Sequence, residues 1–300
     1  MKNSIHRLEN ENKFREFSSI FRIFIGLYLL RKVFFTWEFQ ELLVRGKYLS
    51  PQPASSILSL LHIDVNWFAS NFEFFYLIYI LLIFLFLFGI GKQLTVFFLY
   101  VFLEIIYDYN WLVLNGGDNL LEFVLLYFIF IDSYSRFSLK PLRYKNEKVA
   151  RFSNFISNLA GYSICIHLCV AYFMSAIFKI HSDDWFHGVG MYYSVVAERF
   201  NGTSLNFLLV QSGLFVTVAT YATIAIELAY PFLIWFKKTR HLMIVLAIML
   251  HFGIAMFTML YAFQFLFIFL QGFFITNNEW KRIFGILKNT FRWNKTRIRT

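Results

Sequence analysis

Long apolar runs separated by short polar, Gly- or Pro-bearing stretches organise this chain. A bilayer core of roughly 30 Å takes about 20 helical residues. Runs of that order fall at 18–37, 72–91, 94–114, 118–132, 157–179 and 213–236. A longer run occupies 241–275. As one helix of about 35 residues it would reach roughly 50 Å, too long for one crossing without steep tilt. The pattern therefore predicts a hairpin that breaks near 259–262. The expected fold class is all-α, a polytopic integral membrane bundle of about eight transmembrane helices.

Charge favours that count. With a cytoplasmic N-terminus, segments 1–17, 91–93, 133–156, 237–240 and 277–300 lie inside and hold most of the 28 Lys and Arg, while the outer loops hold only Arg45, Lys47 and Arg199. This is the positive-inside asymmetry. It places both termini in the cytoplasm and makes the chain a multi-pass protein of the cell inner (plasma) membrane. Seven crossings would leave the basic tail outside. The chain then divides into a cytoplasmic or interfacial leader (1–17), a membrane domain (18–276) and a basic amphipathic cytoplasmic tail (277–300). In that tail Trp280, Ile283, Phe284, Leu287 and Phe291 recur at helical spacing among Lys281, Arg282, Lys288 and Arg292, a pattern suited to anionic inner-leaflet lipid. Outside, Ser50-Pro51-Gln52-Pro53 breaks the chain, and 54–63 reads as a short interfacial helix. No cleavable signal peptide is expected, because no small-residue cleavage pattern follows the first apolar run. Asn201-Gly202-Thr203 matches a glycosylation sequon.

Composition agrees with a membrane class. Hydrophobic residues make up 58% and charged residues 15%, with mean hydropathy +0.56, whereas soluble domains are about a quarter charged. The net charge of +10 would suit nucleic acid, but its sidedness argues for the lipid bilayer as partner and against nucleic acid. Cys165 and Cys169 stand four apart on one helix, poorly placed for a disulfide, and His167 points away from their face. No metal site is expected.

Charged groups within apolar spans require a partner or a role. Arg22, Arg31 and Lys32 lie in the first run, Glu104 and Asp108 in the third, Glu122 in the fourth, His167 in the fifth, Glu227 in the sixth and His251 in the seventh. One reading pairs them to fix helix packing, for example Arg31 with Glu104 or Glu227 with His251. The other lines a hydrated cavity that opens outward. There Asn115-Gly116-Gly117-Asp118-Asn119 forms a tight turn in which Asp118 is placed to cap the next helix. Lys179 closes its apolar run, and His181, Asp183, Asp184, Trp185 and His187 follow within eight residues. Such a lysine is either a snorkelling anchor or a desolvated amine beside carboxylates and imidazoles, able to act as a base.

The ordered motifs Asn115-Gly116-Gly117-Asp118-Asn119-Leu120-Leu121, Ala171-Tyr172-Phe173-x-Ser175-Ala176-x-x-Lys179 and Trp185-x-x-Gly188-x-x-x-Tyr192-Tyr193 resemble the HTTM family. Its members are horizontally transferred transmembrane domains related to the membrane core of vitamin K-dependent gamma-carboxylase. Glu227-Leu228-Ala229-Tyr230-Pro231-Phe232, His251-Phe252-Gly253-Ile254-Ala255 and Phe21-Arg22 with Gly26 extend the resemblance over nearly the whole chain, and make a bacterial source the expectation. The resemblance implies that Lys179 is a base acting on a quinol of the menaquinol or vitamin K hydroquinone type. Asp118 and His251 would join it at the catalytic centre. Asn115, Asn119, His181, Asp184, Trp185, His187, Tyr192 and Glu227 would contact the substrate, and Glu227 and His251 would form a buried polar pair. Two departures bear on activity. The carboxylase has a catalytic histidine where Asp118 stands, and a large lumenal domain that is not visible here. Both argue against full glutamate gamma-carboxylation.

Two classes of function follow. The first is a lysine-base enzyme acting on a quinol, lipid or membrane-held peptide in an outward-facing cavity. The second is a non-enzymatic partner of a small peptide or another membrane protein, in toxin-peptide maturation, export or immunity. Transport is less favoured, since no inverted repeat or pair of broken helices is visible.

Overall fold

The computed structural model describes residues 2–39, 56–109, 114–200 and 202–297, with the side chains of 2–5, 56, 109, 199, 287 and 289–297 left aside. It is all-α, 79% helical, with no strand among the described residues. In chain order the helices are α1 (Lys2–Asn10), α2 (Arg15–Trp37), α3 (Ser56–Leu60), α4 (Val65–Ser70), α5 (Phe72–Phe88), α6 (Lys92–Tyr109), α7 (Gly116–Phe128) and α8 (Glu147–Ile180). They continue as α9 (Asp183–Phe186), α10 (Gly190–Val196), α11 (Leu205–Val210), α12 (Gly213–Leu233), α13 (Arg240–Thr258), α14 (Tyr261–Leu270) and α15 (Asn277–Arg297). Backbone contacts divide the chain into one unit of residues 1–161 with 275–300 and a second of 162–274. Helix α8 runs from the first into the second.

Among the described residues three helices are long and apolar enough to cross a membrane, namely Glu147–Ile180, Gly213–Leu233 and Arg240–Thr258. Phe72–Phe88 and Tyr261–Phe274 are apolar but shorter. The other expected crossings correspond to α2, α6 and α7, which carry several charges or, for α7, only 13 residues. The expected hairpin is present. Helix α13 ends at Thr258, Met259 takes a left-handed conformation (φ 56°) and α14 begins at Tyr261. Helix α8 starts ten residues before the apolar run that signals it, because nothing in 147–156 breaks a helix. Its first turn is closed by Arg151 donating to Glu147 at 2.6 Å and by Asn146 accepting from the Lys148 N–H at 2.9 Å. The 54–63 segment contains α3, while the Pro-bearing 50–53 break, Arg45, Lys47 and the Asn201 sequon position lie outside the described residues.

In the first unit α2 packs on α5, α5 on α6, and α6 on α7. The α2–α5 approach is close at Gly26, where a Cβ would lie 2.6 Å from Leu87. Arg22 is fully buried in this layer. Its guanidinium donates to the carbonyls of Phe86 and Leu87 (both 2.7 Å), Ser133 (3.2 Å) and Phe137 (2.6 Å). A fork of fixed donors thus satisfies the last carbonyls of α5, where the helix dipole also favours a cation. Gly89 ends α5 with φ 71°. A Cβ there would stand 2.4 Å from Ser138 Oγ and 2.9 Å from Arg22 Nη1, so both the left-handed backbone and the arginine require glycine.

A collar of buried amides joins the N-terminal segment to the starts of α8 and α15. Asn158 donates to the Leu8 and Glu11 carbonyls (both 2.7 Å) and accepts from the Lys13 N–H (2.7 Å). Asn277 donates to the Asn12 carbonyl at 2.7 Å and accepts from the Glu16 N–H at 3.2 Å. The amphipathic tail is helical as expected. Part of its apolar face packs on the rest of the first unit: Trp280 stacks on Phe17 (5.0 Å) and Phe284 meets the exposed Phe137 edge-on (6.1 Å).

Candidate functional site

Helix α8 repeats polar groups at i, i+3 and i+7, so Tyr172, Ser175 and Lys179 share one face. Glu227 and Tyr230 share a face of α12 in the same way, three residues apart. These two faces meet within the second unit. Lys179 Nζ donates to both Glu227 carboxylate oxygens (2.8 and 2.7 Å) and to Ser175 Oγ (2.6 Å), which uses all three ammonium protons. One turn or two deeper, the Tyr172 and Tyr230 rings stack at 4.1 Å. The Lys179 side chain is 19% exposed and that of Glu227 is 8% exposed. The ammonium is thus held by a carboxylate within the second unit and is largely shielded.

A strap covers the pair. Trp185, in α9, places its ring 5.1 Å from Lys179 Nζ, in cation–π range. Gly190 lets the indole lie against the backbone, since a Cβ there would come within 2.4 Å of the ring. Gly188 turns the chain with φ 77°. The strap is tied to α12 by Tyr221 donating to the Phe186 carbonyl (2.7 Å) and by the Met191 N–H donating to Thr220 (3.1 Å).

Behind the ion pair runs a buried polar chain. Tyr230 donates to Gln271 Oε1 (2.6 Å), and Gln271 Nε2 donates to the Tyr172 hydroxyl (3.3 Å). Tyr172 bonds His251 Nε2 (2.7 Å), and His251 Nδ1 bonds Gln264 Oε1. The carbonyl oxygen of Gln264 can only accept, so Nδ1 carries the proton and Nε2 accepts from Tyr172. The chain has one consistent direction, with the imidazole neutral and stacked on Phe267 at 4.5 Å. The expected Glu227–His251 pair is therefore replaced. Glu227 binds Lys179, while His251 binds Tyr172 and Gln264. An amine outcompetes an imidazole for a carboxylate because it carries full charge without first taking up a proton.

Other expected site residues are exposed or take local partners. His181 and His187 are exposed, and each closes its own turn by bonding the carbonyl four residues earlier, Ile177 and Asp183. Asp184 and Tyr192 are also exposed. Asn115, Asp118 and Asn119 lie in the first unit. Asn115 is the N-cap of α7, accepting from the Gly117 N–H at 2.8 Å, and Asp118 is its reciprocal partner, accepting from the Asn115 N–H at 3.0 Å. The turn thus forms a full capping box, and Asn119 is exposed. The other oxygen of Asp118 accepts from Lys32 and from the Tyr107 hydroxyl (3.0 Å), and Lys32 also donates to Tyr107 (2.9 Å). Asp118 is 2% exposed. The expected Arg31–Glu104 pair is not seen either; the Arg31 guanidinium lies 4.5 Å over the Phe35 ring.

Sequence reasoning passed over Lys32, Tyr107, Gln264 and Gln271 as site residues. Lys32 was visible as a cation within an apolar run. The two glutamines carried no signal, because a glutamine in an apolar run gives no hint of its partner. Among the described residues no group of three or more His, Cys, Asp or Glu is placed to hold a metal ion. Compared with protein-family models, curated proteins and solved structures, the chain matches none.

Proposed function

We propose that this chain is a multi-pass membrane protein of the HTTM kind, with about eight crossings and both termini in the cytoplasm, that performs lysine-centred proton transfer at the Lys179–Glu227 pair. The observation that carries this reading is the bidentate contact between a shielded amine and a carboxylate beneath Trp185. In a low-dielectric setting separated charges are disfavoured, and moving one proton from the ammonium to the carboxylate leaves both members uncharged. The resulting free amine then takes a proton from a weakly acidic substrate such as a quinol. The substrate anion is left beside a renewed ammonium, with Glu227 holding its proton until turnover ends. Ser175 keeps the amine aimed at Glu227, and Trp185 limits water. Tyr172, His251 and Gln264 hold α8 against the α13–α14 hairpin. His251 accordingly supports the site and does not serve as the base.

A second reading, a non-enzymatic partner in toxin-peptide maturation, export or immunity, is favoured by the same contacts. All three ammonium protons are already satisfied, as in a packing pair. An epoxidation assay separates the two. Membranes holding the wild type or Lys179→Met at matched abundance receive reduced menaquinone or vitamin K and oxygen, and the epoxide is read by mass spectrometry. Product from the wild type alone is the expected result. Product from both would remove Lys179 as the base, and product from neither would move the reading to the partner protein.

A further inference from the structure

The connection from α7 to α8 and the first turns of α15 form a surface that the lysine site does not use. Residues 133–152 and 277–288 contain nine Lys and Arg and two carboxylates. Both carboxylates are engaged locally, Glu147 with Arg151 and Glu279 with the Thr276 backbone and hydroxyl. Lys140, Arg143, Lys145, Lys148, Lys281 and Arg282 are all exposed. Large apolar side chains are exposed among them: Phe137 at 55%, Leu139 at 68%, Phe152 at 67% and Ile286 at 66%. The two segments touch through the Phe137–Phe284 rings. The connection is held in shape by Arg22, which bonds the Ser133 and Phe137 carbonyls, and by the Leu139 N–H, which bonds the Phe88 carbonyl at 3.0 Å.

We propose that this basic, aromatic-edged plate is a docking surface for anionic phospholipid headgroups. Cations of one sign fit a negatively charged leaflet. The exposed Phe137, Leu139 and Phe152 fit the boundary between headgroup and acyl chain, and they have no counterpart need on a nucleic acid or an acidic protein. The plate is fixed in shape by buried hydrogen bonds, so binding does not require ordering a loose segment first. Each Lys or Arg held near an anionic surface contributes enough that removing three lowers lipid retention by about tenfold or more.

The test uses the full chain in nanodiscs of phosphatidylcholine, with and without phosphatidylglycerol. Phosphatidylglycerol retained after exchange into detergent is measured by native mass spectrometry, and lysine-directed labelling reads protection of Lys140, Lys145 and Lys281. The expected result is retention of phosphatidylglycerol over phosphatidylcholine and protection of these lysines in the anionic discs alone. K140Q/R143Q/K145Q should lose both. L139S/F152S keeps the charge and should lose retention in part. Equal retention of the two lipids, or labelling indifferent to lipid charge, overturns the proposal. Full retention by L139S/F152S with loss in the charge variant also overturns it, because charge alone would then suffice and an acidic macromolecule would fit as well.

Discussion

Breaking the Lys179–Glu227 pair should destabilise the second unit in a non-additive way. Lys179→Met leaves a carboxylate that is 8% exposed with no cation. Removing one member of a buried pair costs about 3–5 kcal/mol. The lysine is 19% exposed, so the lower end applies, about 3 kcal/mol. Glu227→Gln keeps one acceptor for the ammonium and should cost about 2 kcal/mol. The double variant removes both charges and should cost about 3 kcal/mol, well below the sum of the singles, for a coupling of about 2 kcal/mol. Neutral interhelical hydrogen bonds in membranes average only about 0.6 kcal/mol, so this coupling is large enough to mark a charge pair. The assay is reversible unfolding in mixed micelles titrated with sodium dodecyl sulfate and followed by circular dichroism. Additive single and double variants would refute the reasoning. They would mean that water or detergent screens the pair despite its burial.

Two further outcomes concern the first unit. Arg22→Lys keeps the charge but cannot reach four carbonyls with one ammonium, and should cost about 3 kcal/mol or more; hydrogen exchange at Leu139 and Gly89 should quicken, and unchanged exchange would mean the carbonyls find other donors. Gly89→Ala should destabilise through its φ of 71° and the 2.4 Å approach to Ser138, whereas Gly285→Ala, with nothing within 4 Å in an exposed helix, should stabilise by about 0.5–1 kcal/mol; thermal unfolding of the pair in detergent checks both signs.

The readable parts of the chain were those where one physical signal dominates. The 241–275 run was too long for a bilayer, and the structure breaks it at Met259. The Asn115–Asp118 turn carried capping chemistry, although Asn115 and not Asp118 proved to be the N-cap. Pairings were less legible, because sequence shows which charges need partners but not which helix faces meet. Lys179 meets Glu227 because Tyr172 and Tyr230 set the spacing of α8 and α12, a tertiary fact that spacing along one helix does not contain. The asparagine collar was unreadable for another reason. Asn12, Asn158 and Asn277 each look like ordinary turn or cap residues, and only their convergence makes them a joint.

Arg22 has a consequence for how the protein is made. Its carbonyl acceptors lie 64, 65, 111 and 115 residues further along the chain. A ribosome therefore delivers α2 well before anything exists to receive the guanidinium. On the proposed reading, in which α2 crosses a bilayer, the arginine alone favours the interface over the interior, so α2 would wait at the membrane edge until α5 and then the 133–137 segment emerge. On that reading, a chain halted with α2 outside the ribosome but α5 still unmade should leave α2 extractable by alkali, and completion of the chain should lock it in. On this view the arginine makes insertion of the first helix conditional on the later ones.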